Sequence, residues 1–169
     1  LYQQIHLGLV EIQDTQGNVP VAASFPQYCE DLNHLGCRLR LFAEDKQTLE
    51  SFNVAKWLNR LTDYVEINQI QPVPENITEF VYFKRQQVKS SNERLARRKA
   101  KRSGIDYEQA LEQLKGYDEK RVRTPFININ SQSSGKQFRL FIEKRPADKA
   151  QAGQFNSYGL SNHATVPWF

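Results

Sequence analysis

The sequence predicts an α+β protein in two halves. Three observations carry that class. Residues 1–70 run helix, strand, strand, helix, strand, whereas the residues after 75 place strands on either side of one arginine-rich helix. Between them, Pro72-Val73-Pro74 followed by Glu75-Asn76 is the composition of a boundary. The expected division is therefore 1–74 and 75–169.

Leu1, Ile5, Leu9 and Ile12 recur at helical spacing, so the chain opens on an amphipathic helix. Gly17-Asn18 ends it, and the short apolar stretch Val19 to Phe25 is closed by Pro26. From Cys37 to Ala43 the pattern alternates, with Cys37, Leu39, Leu41 and Ala43 on one face of a strand. Asp45 is placed to cap a helix containing Leu49 and Phe52, and a second helical stretch holds Val54, Trp57, Leu58 and Leu61. Val65 to Ile70 reads as a further strand. One strand added in front gives βαββαβ, the ferredoxin-like unit. The chain contains no methionine, so Leu1 is expected not to be the natural start, and that first strand is expected to be absent from this sequence.

In the second half, Ile77 to Val88 alternates as a strand. Phe126 to Asn130 and Gln137 to Glu143 flank the turn Ser131-Gln132-Ser133-Ser134-Gly135, and a last extended piece covers Phe155 to Leu160. Ordinary hydrophobic (39%) and charged (25%) fractions exclude wholesale disorder and fibrous repeats. No apolar run approaches the roughly 20 residues that span a bilayer, and Cys29 and Cys37 read as free thiols of a cytoplasmic protein.

The net charge of +4 conceals its distribution. Residues 84–102 hold nine Lys and Arg against one acid, Glu93, a window of +8, while the other 150 residues sum to −4. An acidic body with one basic cluster points to a nucleic-acid contact. Ser90 and Glu93 fit a capping box at the start of a helix over residues 91–103, and Gly104 supplies its stop. Arg94, Arg97, Arg98, Lys101 and Arg102 then fall on one stripe. Like charges repel there by a few tenths of a kcal/mol per pair (about 0.2–0.5), a cost that a polyanion offsets. A solvated charged face is the plainer reading and would be favoured for a mixed-sign helix; here the sign is single and acids are missing, which favours nucleic-acid binding. Just before it, Arg85 and Gln87 leave the same face of a strand and suit guanine and adenine edges, or simply form a polar strand end.

Metal chemistry has little support, since His6, His34 and His163 are isolated and no cluster has ligand spacing. RNA cleavage through the ribose 2′-hydroxyl needs only a base, and histidine suits it. His6 lies beside the apolar face of the first helix, where a histidine is more often a satisfied core or boundary residue than a catalyst. Ser131, Ser133 and Tyr158 are candidates for holding sugar or phosphate, although serines also occur in turns for conformational reasons.

Four stretches carry a resemblance: Val21-Ala22-Ala23-Ser24-Phe25-Pro26; Arg85-Gln86-Gln87-Val88-Lys89-Ser90 with Glu93-Arg94-Leu95; Ser131 to Gly135 with Phe138-Arg139-Leu140-Phe141-Ile142; and Tyr158-Gly159-Leu160-Ser161 with Val166-Pro167-Trp168-Phe169. In this order, from Leu1 to Phe169, the chain resembles the CRISPR repeat-processing endoribonucleases of type I-F systems. The resemblance implies hairpin cleavage at the stem base by 2′-hydroxyl attack, without metal or other cofactor, leaving a 2′,3′-cyclic phosphate. By position it implies His6 as base or proton shuttle, Ser131 as the group positioning the 2′-hydroxyl, Tyr158 as the orienter of the histidine and Ser133 as an auxiliary. Phe138 matches an aromatic that stacks on the closing base pair, and also reads as a core residue alternating with Leu140 and Ile142.

Arg85 and Gln87 match purine readers, Arg98 and Arg102 match arginines in the RNA major groove, and Arg97 and Lys101 would face phosphates. Lys89 and Arg94 of the same basic segment complete the expected RNA contacts. Lys101 departs from a usual arginine, and Ala96 stands where another often occurs. The implied partners are a CRISPR repeat RNA hairpin, retained as product, and subunits of a type I-F surveillance complex, with target DNA met only indirectly and turnover slow or single. The rival readings are a non-catalytic RNA-hairpin-binding subunit and, less favoured, a DNA-binding module.

Overall fold

The computed structural model describes residues 1–87, 92–114, 124–131 and 135–169, and the side chains of 92–94 lie outside that description. The fold is mixed α+β. Its elements in chain order are α1 (Tyr2–Glu11), β1 (Asn18–Val19), β2 (Ala22–Ser24), β3 (Arg40–Phe42), α2 (Lys46–Phe52), α3 (Val54–Leu58), β4 (Phe80–Gln86), α4 (Asn92–Ser103), α5 (Tyr107–Glu112), β5 (Phe126–Asn130), β6 (Gln137–Ala147), β7 (Phe155–Asn156) and β8 (Val166–Pro167). Two compact units result, one of Leu1–Gln86 with Thr124–Phe169 and one of Gln87–Arg123. Pro72 and Pro74 lie within the first unit.

An antiparallel sheet of order β5-β6-β4-β8 forms the frame of the first unit. Its longest ladder pairs Phe80 with Ala147 through to Gln86 with Phe141. One face of it is apolar: Val81, Phe83, Ile129, Leu140 and Ile142 pack with Tyr2, Ala22, Ala23, Phe25, Leu160 and Val166. The last three residues of β4's other face are polar, with Lys84 bound to Glu143 at 3.3 Å and Arg145 paired with the same carboxylate. Pro146 sits in β6 beyond Phe141, the last residue paired with β5, on a stretch with an open edge where a missing N–H is tolerated.

A second core joins Ile5, Leu9, Val19, Val21, Phe52 and Leu58. Helix α1 therefore serves both cores, Tyr2 entering one while Ile5 and Leu9 enter the other. At about 1.5–3 kcal/mol per fully buried aliphatic side chain, this packing anchors α1 far more strongly than helix propensity does. Asp45 caps α2 as expected, its Oδ1 accepting from the Thr48 N–H at 2.7 Å.

Several elements differ from expectation. No strand forms over Val65–Ile70, because Ile67 and Ile70 are exposed and no described strand lies alongside them. Val19 to Phe25 divides in two: β1 pairs with β7 and β2 with β3, with Pro20 and Val21 between. The alternating stretch Cys37–Ala43 forms a ladder only over Arg40–Phe42, the length that β2 can pair. Strand β6 runs on to Ala147 because β4 continues beside it, and the stretch Phe155–Leu160 turns at Gly159 after two strand residues.

In the second unit α4 ends at Gly104, whose φ of +65° is the left-handed stop expected of a glycine. The capping residue Ser90 lies outside the described residues. Helix α5 had no expectation attached to it. It is capped by Asp106, which accepts from the Glu108 N–H at 3.1 Å. Fully buried Ala96 and Ala110 let α4 and α5 approach closely. Among the described residues no helix is long and apolar enough to cross a membrane.

Candidate active site

Helix α1 presents Tyr2, Gln3 and His6 within one turn, and each is hydrogen-bonded to a segment more than a hundred residues away. His6 is half-buried and its Nδ1 lies 2.7 Å from the Ser157 carbonyl oxygen. A carbonyl only accepts, so neutral His6 carries its proton on Nδ1 and leaves the Nε2 lone pair available. Burial lowers the His6 pKa below its ordinary 6.5, and the Ser157 bond opposes that shift only in part. The neutral, base-competent imidazole is thereby favoured near pH 7.

The ring of Tyr158 stacks on that imidazole, with centroids 4.2 Å apart and planes inclined by 10°. Tyr158 is itself fixed from α1, because the Tyr2 hydroxyl donates to its carbonyl oxygen at 2.5 Å. Burial, followed by the nearby Tyr158 hydroxyl, pushes the Tyr2 pKa far above the usual tyrosine range, so this donor keeps its proton. The next residue, Gly159, has a φ of +66°, and its carbonyl accepts from the Ala23 N–H at 2.8 Å. A Cβ on Gly159 would lie 2.9 Å from the Ala23 nitrogen, so the turn behind Tyr158 requires glycine for conformation and for space.

The cluster continues through Arg85, at the exposed end of β4. The Arg85 guanidinium carbon is 5.9 Å from the Tyr158 ring centroid and 5.4 Å from that of Phe138. Register explains the meeting. Arg85 pairs with Ile142, so it shares the sheet face of Leu140 and Phe138. Leu140 and Ile142 are fully buried while Phe138 is half-buried. Phe138 thus packs against the core and also borders the open end of the sheet, so the two readings of it are compatible.

Ser131 directly follows strand β5, which lies beside α1. Its N–H donates to the Lys136 carbonyl at 2.9 Å and its carbonyl accepts from the Gly135 N–H at 2.8 Å, closing the β5–β6 turn. The residue before it, Asn130, is bonded to Gln3. Structure thus gathers His6, Tyr158, Arg85 and Phe138 and ties the strand bearing Ser131 to the helix bearing His6. Ser133 and Lys89 lie outside the described residues, as does the side chain of Arg94. Gln87 is exposed and follows the end of β4. Tyr2 and Gln3 were not singled out by sequence. Their spacing of four and three from His6 puts them on its helix face, but their partners Tyr158 and Asn130 are invisible to local pattern.

In the second unit Arg97, Arg98, Lys101 and Arg102 are exposed along α4, opposite buried Ala96. The departure at Ala96 thus has a packing role, since an arginine there would have to leave the α4–α5 contact. Among the described residues no three of His, Cys, Asp or Glu are grouped to hold a metal ion.

Comparison with known proteins gives two concordant findings. A family model described as "CRISPR-associated protein (Cas_Csy4)" matches residues 1–169. A curated protein of Escherichia coli (strain UTI89 / UPEC), "CRISPR-associated endonuclease Cas6/Csy4", is 38% identical over 171 residues, covering 100% of this chain and 88% of that protein. Its namesake from Pseudomonas aeruginosa (strain UCBPP-PA14) is 35% identical over 170 residues, with the same coverage of 100% and 88%. A match along the whole chain, over the segments that build the His6 cluster, places this protein in the Cas6/Csy4 family of CRISPR-associated proteins.

Proposed function

We propose that this protein is a metal-independent endoribonuclease that cuts CRISPR repeat RNA at the base of a hairpin. The observation that carries the reading is the state of His6: neutral, with Nδ1–H committed to Ser157, and stacked on Tyr158. In the proposed reaction Nε2 takes the proton of the ribose 2′-hydroxyl, whose oxygen attacks the adjacent phosphorus. The bond from phosphorus to the 5′ oxygen of the next nucleotide breaks, and His6, as shuttle, returns the proton to that oxygen. The products are a 2′,3′-cyclic phosphate and a free 5′-hydroxyl.

Ser131 positions the 2′-hydroxyl, with Ser133 as an auxiliary, and Tyr158 fixes the imidazole plane. Arg85 and Gln87 read purines at the stem base and Phe138 stacks on the closing pair. Arg94, Arg97, Arg98, Lys101 and Arg102 hold the stem together with Lys89. Retention of the product in a surveillance complex, and a ferredoxin-like plan for the amino-terminal half, belong to the same proposal. The endonuclease name of both relatives supports the nuclease assignment.

The deciding experiment offers a repeat hairpin in EDTA, with and without a 2′-deoxy sugar before the scissile phosphate. Cleavage of the all-ribose RNA alone, ending in a cyclic phosphate, is expected. A requirement for magnesium, or cutting of the 2′-deoxy form, would overturn the mechanism. Tight binding with no cleavage of either RNA would leave a hairpin-binding subunit instead.

A further inference from the structure

The end of β5 is held by a side chain that no part of the reaction above employs. Among the described residues strand β5 is an edge strand, paired with β6 on one side only. In an antiparallel pair, successive residues turn their N–H and C=O alternately toward the partner and away from it. Ser131 donates inward to Lys136, so Asn130, one residue earlier, turns outward. There the Gln3 carboxamide meets it in both directions: Asn130 N–H donates to Oε1 at 2.8 Å, and Nε2 donates to the Asn130 carbonyl at 3.3 Å. One amide side chain reproduces the paired bonds of a neighbouring strand. It does so from α1, three residues before His6.

We propose that Gln3 is a positioning residue for RNA cleavage, fixing the strand end that carries Ser131 against the helix that carries His6. The inference rests on the assignment of His6 and Ser131 to the reaction. Gln3 touches neither reacting atom. It acts by setting the separation of two groups that belong to segments 125 residues apart in the chain. The nucleophile and its base must both be held within a fraction of an ångström, and a displacement near 1 Å costs about 10²-fold in rate. The His6–Ser157 and Tyr2–Tyr158 bonds fix α1 only to the 157–158 segment. Gln3 supplies the corresponding tie to the Ser131 side.

The test uses the full chain and the repeat hairpin under single-turnover conditions with saturating protein. Affinity is measured on the hairpin whose scissile nucleotide is 2′-deoxy. Gln3→Met keeps the size and helix propensity but removes both bonds. Gln3→Glu keeps the acceptor and, once protonated, regains the donor. Both variants are expected to cleave about 10²-fold more slowly at pH 8, with affinity within about twofold and an unfolding midpoint within a few degrees of the unmutated protein. The deficit of Gln3→Glu relative to the unmutated protein should shrink as pH falls toward 5, while that of Gln3→Met stays constant. A purely structural role would not give that divergence.

Cleavage by Gln3→Met within about twofold of the unmutated protein would overturn the proposal, provided His6→Ala is inactive. Parallel losses of affinity and rate would overturn it equally, since Gln3 would then serve binding. Unmutated rates in His6→Ala would mark the failure of the catalytic reading itself, and the positioning role would fall with it.

Discussion

Arg85 and His6 both lie against Tyr158: the Arg85 guanidinium carbon is 5.9 Å from its ring centroid, and the His6 imidazole is stacked on it at 4.2 Å. An exposed strand end is thereby joined to the residue proposed to orient His6. Arg85→Lys keeps the charge but loses the planar fork and its stacking surface. Loss of a bidentate base contact costs about 1–3 kcal/mol. Affinity for the hairpin is expected to fall about tenfold or more, with weaker discrimination at the purine that Arg85 is proposed to read. Competition binding against hairpins altered at that one position checks both effects.

The pH dependence follows from the direction of the His6 shift. Burial depresses the folded pKa below 6.5, so the imidazole becomes a base at lower pH than a free histidine would. The cleavage rate should rise with pH and level off at a midpoint below 6.5, measured as single-turnover rates between pH 5 and 8. A midpoint above that value would contradict the buried, neutral assignment. The stability effect has a matching sign. The unfolded chain takes the proton first as pH falls, so the His6 contribution is present above the unfolded pKa and is lost on acidification through the folded one.

Gly159 offers a probe of the turn behind Tyr158. Gly159→Ala places a methyl against the Ala23 backbone, which has little freedom to yield, and forces an L-residue into left-handed conformation. The conformational term alone costs about 1–2 kcal/mol, and overpacking adds about 1–3 kcal/mol. Urea unfolding should show a lower midpoint with an unchanged slope, and cleavage by the folded fraction should fall as Tyr158 is displaced.

The exposed stripe of α4 is testable by salt. Each phosphate contact contributes about −0.7 to −0.9 to the slope of log K against log salt, so five contacts imply roughly −3.5 to −4.5. Arg97→Ala and Lys101→Ala should each reduce the slope by nearly one such unit. Because alanine favours helix, circular dichroism should remain unchanged. An unaltered slope in the double variant would remove α4 from the phosphate contacts.

The features legible in the sequence are those written in local spacing. The basic stripe of α4, its stop at Gly104, the Asp45 cap and the strands flanking the Ser131 turn can all be read from neighbours a few residues apart. The site is assembled by contacts of another kind. Arg85 reaches Phe138 only through the β4–β6 register, and His6 reaches Tyr158 across 152 positions of sequence. Neither relation has a periodic signature: the resemblance implied only that of Tyr158 to His6, and the contact of Arg85 with Phe138 emerges from the structure. Val65–Ile70 shows the converse error. Its composition suits a strand, but a strand exists only with a partner, and local pattern does not reveal one. Gln3 is silent in the sequence because a lone glutamine on a helix has no meaning until Asn130 stands beside it.

Helix α1 sends buried side chains into both apolar cores, and it also carries His6. Loosening either core withdraws a wall from that helix, so in the proposed reaction the placement of the base depends on the integrity of both cores at once.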